Sequence, residues 1–330
     1  MRILLIGLGR WGQAHLRAWK QLGAELLVCD AREDLLKKGV EQGAVAGATD
    51  YRVLLPQADA VDIVTPAPTH FEIAAHCLEA GKDVLCEKPL ALTAESGYEL
   101  ARRAQNRGRL LQVAHVFRFE PAIDVVRDLI AAGRIGRIRY VLSHFMGFRR
   151  PRADGGVAVS DGLHFVDLCS YLIGKQPRKV TAILRDYFQR GMDDACWITL
   201  DYGFEIAHVE AGYFPPERRR DLHIMGEEGA IVCDLLAPRD KVRVFGHVHQ
   251  RRGSEWVASE GETIMMDVAE GEPLKRQLAH FLKCCETRSA PLVDGLAGGH
   301  AVAILEAAFT SAREERTVPL ELMTELKPAV

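Results

Sequence analysis

Short apolar segments alternate with segments of helical spacing along the first 115 residues of this 330-residue chain. RILLIG at 2–7, ELLVCD at 25–30 and ADAVDIVTP at 58–66 have the pattern of strands, and amphipathic segments separate them. Apolar strands with intervening helices are typical of a parallel sheet that is covered by helices on both faces. The N-terminal part of the chain is therefore predicted to be an α/β domain.

A glycine-rich motif lies between the first predicted strand and the first predicted helix. The sequence GLGRWG has the spacing G-x-G-x-x-G. In this context Gly7 permits a tight turn, Gly9 lets the backbone approach a pyrophosphate, and Gly12 lets helix and strand pack closely. The helix N-terminus then offers its N–H groups to the phosphates. We predict a Rossmann dinucleotide site whose loop consists of Gly7, Leu8, Gly9, Arg10, Trp11 and Gly12.

The second predicted strand ends in an acid that bears on the choice of cofactor. Asp30 follows Gly12 by 18 residues and is succeeded by Ala31 and Arg32. A carboxylate at this position is expected to bond the ribose hydroxyls and to repel a 2′-phosphate. The motif therefore favours NAD over NADP, although Arg32 is close enough to soften the repulsion.

The next strand also ends in residues that suit the ligand edge of the sheet. Thr65, Pro66 and Ala67 follow it, and ligands bind at the carboxyl ends of strands in open α/β sheets. His70 belongs to this cofactor site or only begins the following helix, and the sequence leaves both readings open.

The pattern changes after about residue 120. A helix, several alternating strands and two closing helices indicate a mostly antiparallel sheet in an α+β domain. A length of 330 residues favours two domains. We predict a Rossmann NAD(P)-binding domain at 1–119 and a substrate-binding and oligomerisation domain at 120–330.

Charge, hydropathy and cysteine usage exclude several classes of function. A net charge of −3 gives no reason to expect a nucleic-acid or membrane partner. The arginine clusters at 149–152 and 218–220 are solvated loops or an anionic small-molecule site. No apolar run reaches the roughly 18–20 residues that span a bilayer, and no signal peptide is expected. The eight cysteines lack metal-ligand spacing, so we expect free thiols, a cytoplasmic protein and no metal.

The segment DVLCEKPLAL at 83–92 places an acid, a base and a proline directly after the C-terminal end of a predicted strand. Glu87 and Lys88 are residue types that are seldom buried without a partner. A plain turn would use glycine, asparagine or aspartate. The segment is therefore either an exposed turn at the surface or a functional site.

Three long stretches resemble the glucose–fructose oxidoreductase, inositol dehydrogenase and rhizopine catabolism (Gfo/Idh/MocA) family. They are GLGRWGQAHLRAW, THFEIAAHCLEAGKDVLCEKPLA and FRFEPAIDVVRDLIAAGRIGRIRYV, and later segments extend the likeness over nearly the whole chain. The resemblance implies a nicotinamide-dependent dehydrogenase of sugar, nucleotide-sugar or cyclitol hydroxyls. It also implies a second domain with a large open sheet that often forms the face of a dimer or tetramer.

The same resemblance implies that the EKP segment is a functional site. Lys88 would lie where the nicotinamide meets the substrate, and the Lys88–Pro89 bond would be cis. Glu87 and Pro89 would hold the backbone of Lys88 in place.

A histidine is the second candidate for proton transfer, because its pKa starts near neutral. His164 lies in DGLHFVD, where the family often has Asp-x-x-x-His with a further Asp three residues on, here Asp167. This chain has Ser160 at the usual Asp position and Asp161 one residue later. Asp161 would orient the substrate or His164, or it would only cap the helix.

Further candidate residues follow the last predicted Rossmann strand. Arg118 and His115 would line the cofactor and substrate crevice, and structural ion pairing is an equal alternative for Arg118. The remaining candidates are Tyr213, Arg149, Arg150 and Arg152. Arginines suit a diphosphate, which slightly favours a UDP-sugar over free inositol.

Other functions remain open at this stage. A nicotinamide-binding regulator without turnover would retain the fold, and an oxidoreductase with tightly bound, recycled NAD(P) would retain the site. A hydrolase or lyase of the same family is a further alternative.

Overall fold

A computed structural model of the chain describes residues 1–153 and 155–324. The chain divides into two compact units. Of the described residues, the first unit comprises 1–116, 272–303 and 323–324, and the second comprises 117–153, 155–271 and 304–322. The domain boundary at 119/120 stays a prediction, and the structure adds that 272–303 pack with the N-terminal residues.

The first unit contains a parallel sheet with the strand order β3-β2-β1-β4-β5-β6 within the described residues. Its strands are β1 (Arg2–Ile6), β2 (Glu25–Cys29), β3 (Ala46–Ala48), β4 (Ala60–Ile63), β5 (Asp83–Cys86) and β6 (Leu111–Val113). From β1 the sheet extends in one direction through β2 and β3 and in the opposite direction through β4, β5 and β6, so the strand order reverses between β1 and β4. In such sheets the ligand crevice lies at the carboxyl ends of the strands beside that reversal. The glycine loop after β1 and the segment after β4 both belong to this edge.

Helices flank the sheet of the first unit. They are α1 (Arg10–Gln21), α2 (Glu33–Glu41), α3 (Tyr51–Leu54), α4 (His70–Glu79), α5 (Ala94–Asn106) and α8 (Pro273–Thr287). On α8 the residues Leu274, Leu278 and Phe281 follow the i, i+4, i+7 spacing of one helix face. They join Leu16 and Trp19 of α1 in one buried apolar cluster. This burial explains why a distant part of the chain belongs to the first unit.

The second unit contains a larger sheet with the order β16-β13-β12-β11-β7-β10-β9-β8-β17 among the residues that the structure describes. Its strands are β7 (Ile138–Met146), β8 (Lys179–Arg185), β9 (Ala195–Asp201), β10 (Ile206–Gly212), β11 (Arg219–Gly226), β12 (Ala230–Asp234), β13 (Val242–Phe245), β16 (Thr263–Met266) and β17 (Val318–Pro319). A separate hairpin consists of β14 (Val248–Arg252) and β15 (Glu255–Ser259). All pairs in the large sheet are antiparallel except β10 with β7.

One face of the large sheet is covered and the other is open. Val141, Ser143 and Phe145 of β7 are buried, whereas the alternate residues Tyr140 and His144 are exposed or half-buried. The helices of this unit are α6 (Pro121–Ala131), α7 (Leu163–Ile173) and the last part of α9 (Gly295–Glu314). A π-helical turn, Ala158–Gly162, leads into α7. These observations confirm the predicted α/β fold with a Rossmann domain and a mostly antiparallel second sheet.

None of the helices in the described parts of the chain combines the length and the apolarity that a bilayer crossing requires.

Candidate active site

The glycine loop after β1 has the shape that a dinucleotide requires. Gly7 has φ +99°, and a Cβ there would lie 2.6 Å from the Val64 carbonyl oxygen. A Cβ on Gly12 would lie 2.0 Å from the carbonyl oxygen of Gly7, so helix α1 can approach the turn only through glycine. A Cβ built on Gly9 would have no atom of the described residues within 4 Å. The loop therefore combines close internal packing with open space at the position that faces a pyrophosphate.

Asp30 stands directly after β2, and its carboxylate is held by the backbone. The Leu8 N–H donates to Oδ2 at 2.7 Å, and the Arg32 N–H donates to Oδ1 at 2.9 Å. The guanidinium of Arg32 pairs with Asp34, with Nη2 and Oδ2 2.7 Å apart. Each carboxylate oxygen of Asp30 has a second lone pair for a ribose hydroxyl. The loop and the acid thus fit the adenosine half of NAD.

His70 begins α4 and also connects the two loops at this edge. Its ring is buried, with Nδ1 2.8 Å from the Pro89 carbonyl oxygen and Nε2 2.8 Å from the Thr65 carbonyl oxygen. Thr65 also accepts a hydrogen bond from Thr69, while Ala67 is half-buried and Pro66 is exposed. His70 therefore begins the helix and also holds the EKP segment, while its place in the cofactor site stays a prediction.

The EKP segment leaves β5 through a cis bond between Lys88 and Pro89, as the resemblance implied. Glu87 is buried and its Oε2 accepts a hydrogen bond from the Lys88 backbone N–H at 3.1 Å. Its Oε1 accepts one from the indole N–H of Trp11 at 2.6 Å. The side chain of Lys88 is half-buried. The acid thus fixes the backbone of the lysine and ties it to the glycine loop.

A buried polar network that the sequence analysis did not identify supports this acid. His15 of α1 is fully buried, with Nδ1 2.7 Å from Asp62 Oδ2 and Nε2 3.3 Å from Glu87 Oε1. Trp19 donates its indole N–H to Asp62 at 2.6 Å. The signals in the sequence were the polar His15 three residues after the last motif glycine and the acid within the apolar strand AVDI.

Electrostatics keep this network charged. Burial by itself lowers the pKa of His15, but Asp62 and Glu87 outweigh it and raise that pKa from 6.5 to about 10. Burial by itself raises the pKa of Glu87, but the neighbouring His15 holds it below its ordinary value. His15 is therefore an imidazolium between two carboxylates throughout the neutral range.

In the second unit, His164 lies in the first turn of α7 and is half-buried between aromatic rings. Its ring centroid is 4.7 Å from that of Phe117 and 6.2 Å from that of Phe145. Asp161 precedes it in the π-helical turn, is 3% exposed and forms an ion pair with Arg149. The position before α7 is Gly162, so no side chain caps the helix there. Asp161 therefore does not occupy the capping position of α7, and its predicted role in orienting His164 or the substrate stays a prediction.

The other predicted site residues differ in their hydrogen-bond partners and in their burial. Ser160, at the usual Asp position, has its Oγ 3.2 Å from the hydroxyl of Tyr213. Arg118 donates two hydrogen bonds to Asp167, at 2.8 and 2.6 Å, which favours its structural reading. The three remaining candidates are His115 of the first unit, which is buried, and Arg150 and Arg152, which are exposed.

Two of the proteins that resemble the chain are named as dehydrogenases of a sugar and of a nucleotide sugar. It is 27% identical to D-apiose dehydrogenase of Paraburkholderia graminis, over 99% of this chain and 91% of that protein. It is 28% identical to UDP-N-acetylglucosamine 3-dehydrogenase of Acidithiobacillus ferrooxidans, over 92% and 94%. The crystal structure of the WlbA dehydrogenase from Bordetella pertussis in complex with NADH and UDP-GlcNAcA matches with a TM-score of 0.81 and 25% identity, over 98% and 99%.

Two family models match consecutive parts of the sequence. The model described as an oxidoreductase family with an NAD-binding Rossmann fold matches residues 1–115. The model described as the C-terminal alpha/beta domain of an oxidoreductase family matches residues 127–320. These matches cover most of the chain, and the protein therefore belongs to the Gfo/Idh/MocA oxidoreductase family.

Proposed function

We propose that this oxidoreductase transfers a hydride between NAD and a secondary hydroxyl of a sugar, nucleotide sugar or cyclitol. The observation that carries the proposal is the EKP segment, in which Glu87 and His70 fix the chain on either side of Lys88. Relatives that are named as dehydrogenases of D-apiose and of UDP-N-acetylglucosamine support the substrate class. Reduction of NAD by such a substrate tests the proposal, and a silent substrate panel would count against it.

Lys88 and His164 are the proposed proton-handling groups. Oxidation of an alcohol releases a proton as well as a hydride, and a base within hydrogen-bond reach of the hydroxyl must accept the proton. Bound NAD supplies the hydride acceptor. Lys88 would position the hydroxyl and share its proton, and His164 would take the proton, since its pKa in water is near neutral. Asp161 would help to orient His164 or the substrate.

The preference for NAD over NADP is proposed from the position of Asp30. Its carboxylate is fixed by the Leu8 N–H, and the guanidinium of Arg32 is already paired with Asp34. A 2′-phosphate would therefore meet a fixed negative charge, and like-charge juxtaposition costs several kcal/mol.

Asp30→Ser is expected to lower the ratio of kcat/KM for NAD to kcat/KM for NADP by about tenfold or more, which corresponds to about 1.4 kcal/mol. Steady-state kinetics with both cofactors measure this ratio. Asp50→Ser is a matched control, because Asp50 is an exposed acid elsewhere in the same unit. A wild-type enzyme that prefers NADP would contradict the assignment.

We also propose that the open face of the large sheet pairs with further copies of the chain. Exposed apolar residues on this face include Tyr140, Ile183 and Met265, which are 43, 49 and 53% exposed. A stable interface buries more than about 1,000 Å² with good complementarity. Size-exclusion chromatography with light scattering is expected to give a dimer or tetramer, which Ile183→Asp should weaken. A monomeric wild type would contradict the proposal.

A reducing compartment such as the cytoplasm is proposed from the cysteines. All eight are free and buried, and thiols persist in reducing compartments.

A further inference from the structure

Two guanidinium groups lie against one aromatic ring in the second unit. The Cζ atom of Arg220 is 4.5 Å from the centroid of Phe145, and the Cζ atom of Arg149 is 4.9 Å from the same centroid. Arg220 of β11 is directly paired with Phe145 of β7, so both side chains project from the covered face of the sheet. The arrangement places two positive charges side by side.

Among the described residues, one carboxylate, that of Asp161, accompanies the two arginines of this cluster. Asp161 is paired with Arg149. In contrast, the guanidinium of Arg220 forms no hydrogen bond or ion pair within residues 1–153 and 155–324, and its contact is the face of Phe145. Burial, followed by the charge of Arg149, lowers the pKa of Arg220, although Asp161 partly offsets this effect. An additional anion would relieve the electrostatic strain of this pair.

The cluster adjoins the predicted catalytic histidine. The ring of Phe145 that carries both arginines is 6.2 Å, centroid to centroid, from the ring of His164. Arg149 also lies over Tyr213, at 5.0 Å from its centroid. A ligand that contacts the arginines and His164 would therefore have an anionic group near the carbon that reacts.

We propose that Arg220 and Arg149 form a subsite for an anionic group of the substrate, either a phosphate or a carboxylate. The inference rests on the proposed function of the same site and names the substrate class. Guanidinium groups bind both anions through pairs of parallel, charge-assisted hydrogen bonds. A neutral sugar would leave the charge of Arg220 uncompensated, which is unfavourable for a partly buried cation.

Direct binding tests the subsite without requiring turnover. Isothermal titration calorimetry would compare pyrophosphate, UDP and glucuronate as probes of the NAD-saturated protein. Arg220→Gln is expected to lower the affinity for whichever of these anions binds by about 10- to 100-fold, the loss typical of a charge-assisted contact. The matched control is Arg219→Gln. Arg219 projects from the opposite face of the same strand, and Asp221 keeps His144 and His223 as partners without it.

Kinetics then distinguish the sources of the anion. The panel contains UDP-sugars, sugar phosphates, uronates and neutral sugars. Turnover of an anionic member with a KM that Arg220→Gln raises about 10- to 100-fold, at nearly unchanged kcat, supports the subsite. A UDP-sugar or sugar phosphate would identify the anion as phosphate, and a uronate would identify it as carboxylate.

Two results would overturn the subsite and leave the proposed function intact. One is equal anion affinity in Arg220→Gln and Arg219→Gln. The other is turnover of neutral sugars alone, with a KM that does not respond to Arg220→Gln. Conversely, anion binding that depends on Arg220, in a protein that reduces no NAD, would support the subsite and refute the proposed function.

Folding is a separate readout. Arg220 forms no ion pair with a carboxylate of the described residues, so the melting temperature of Arg220→Gln should not fall. If this variant does not fold, Arg220→Lys keeps the charge without the planar fork and should give an intermediate anion affinity. Wild-type affinity in Arg220→Lys would contradict bidentate binding.

Discussion

Lys88→Ala is expected to lower kcat by about 10²–10⁴-fold, the range typical of a general acid–base group, while the affinity for NAD changes only a few-fold. The backbone of Lys88 is held by Glu87 and by the His70 contact to Pro89, so loss of the side chain should leave the segment in place. Steady-state kinetics and a separate titration with NAD measure the two quantities.

Two further variants sharpen this experiment. Lys88→Met retains most of the aliphatic stem and removes only the ammonium group, so it should be nearly as slow as the alanine variant. Lys37→Ala is the matched control, because Lys37 is a lysine of the same unit with 79% of its side chain exposed. An unchanged kcat in Lys88→Ala would remove this residue from the mechanism.

His15→Phe is expected to lower the free energy of unfolding by about 3–5 kcal/mol, because it leaves Asp62 as a buried charge without a cation. Phenylalanine keeps a ring of similar size, so the loss reports chiefly on charge. Glu87 also loses its neighbouring imidazolium, and we expect kcat to fall because Glu87 holds Lys88. Denaturant unfolding, with His249→Phe as an exposed control, measures the stability.

The pH dependence of stability provides an independent check on His15. Its pKa is about 10 in the folded protein and 6.5 as the reference for the unfolded chain. Because the folded state binds the proton more tightly, this stabilisation is complete below pH 6.5 and is lost as the pH rises through 10. The wild type should therefore lose stability across this window, and His15→Phe should lack that slope. Equal slopes in both proteins would show that His15 is not a buried imidazolium.

Local patterns predicted much of the fold. The alternation of strands and helices in residues 1–115, together with GLGRWG and Asp30, predicted the Rossmann sheet, and the structure and family match confirm it. Each of these signals lies within one turn or one βαβ unit, where spacing and geometry are directly linked. The mostly antiparallel second sheet was also predicted correctly, but the parallel pairing of β10 with β7 joins strands about 60 residues apart and has no local signature.

The remaining features depend on contacts between distant residues. The apolar face of α8 was visible, but the sequence did not reveal that Leu278 and Phe281 pack with Trp19 of α1. His15 and Asp62 are 47 residues apart and could be recognised as a pair only after folding. The ion pair of Asp161 with Arg149 is another contact that the sequence did not reveal, and the role of Asp161 stays a prediction.

The formation of NADH by the purified protein distinguishes a dehydrogenase from a nicotinamide-binding protein without turnover. The protein would be mixed with excess NAD and a panel of UDP-sugars, sugar phosphates, uronates, neutral aldoses and inositols, beside Lys88→Ala. We expect NADH absorbance with one class of substrate and a rate about 10²–10⁴-fold lower in the variant. Binding of NAD without NADH formation from any member of the panel would refute the proposed hydride transfer and would favour the protein without turnover.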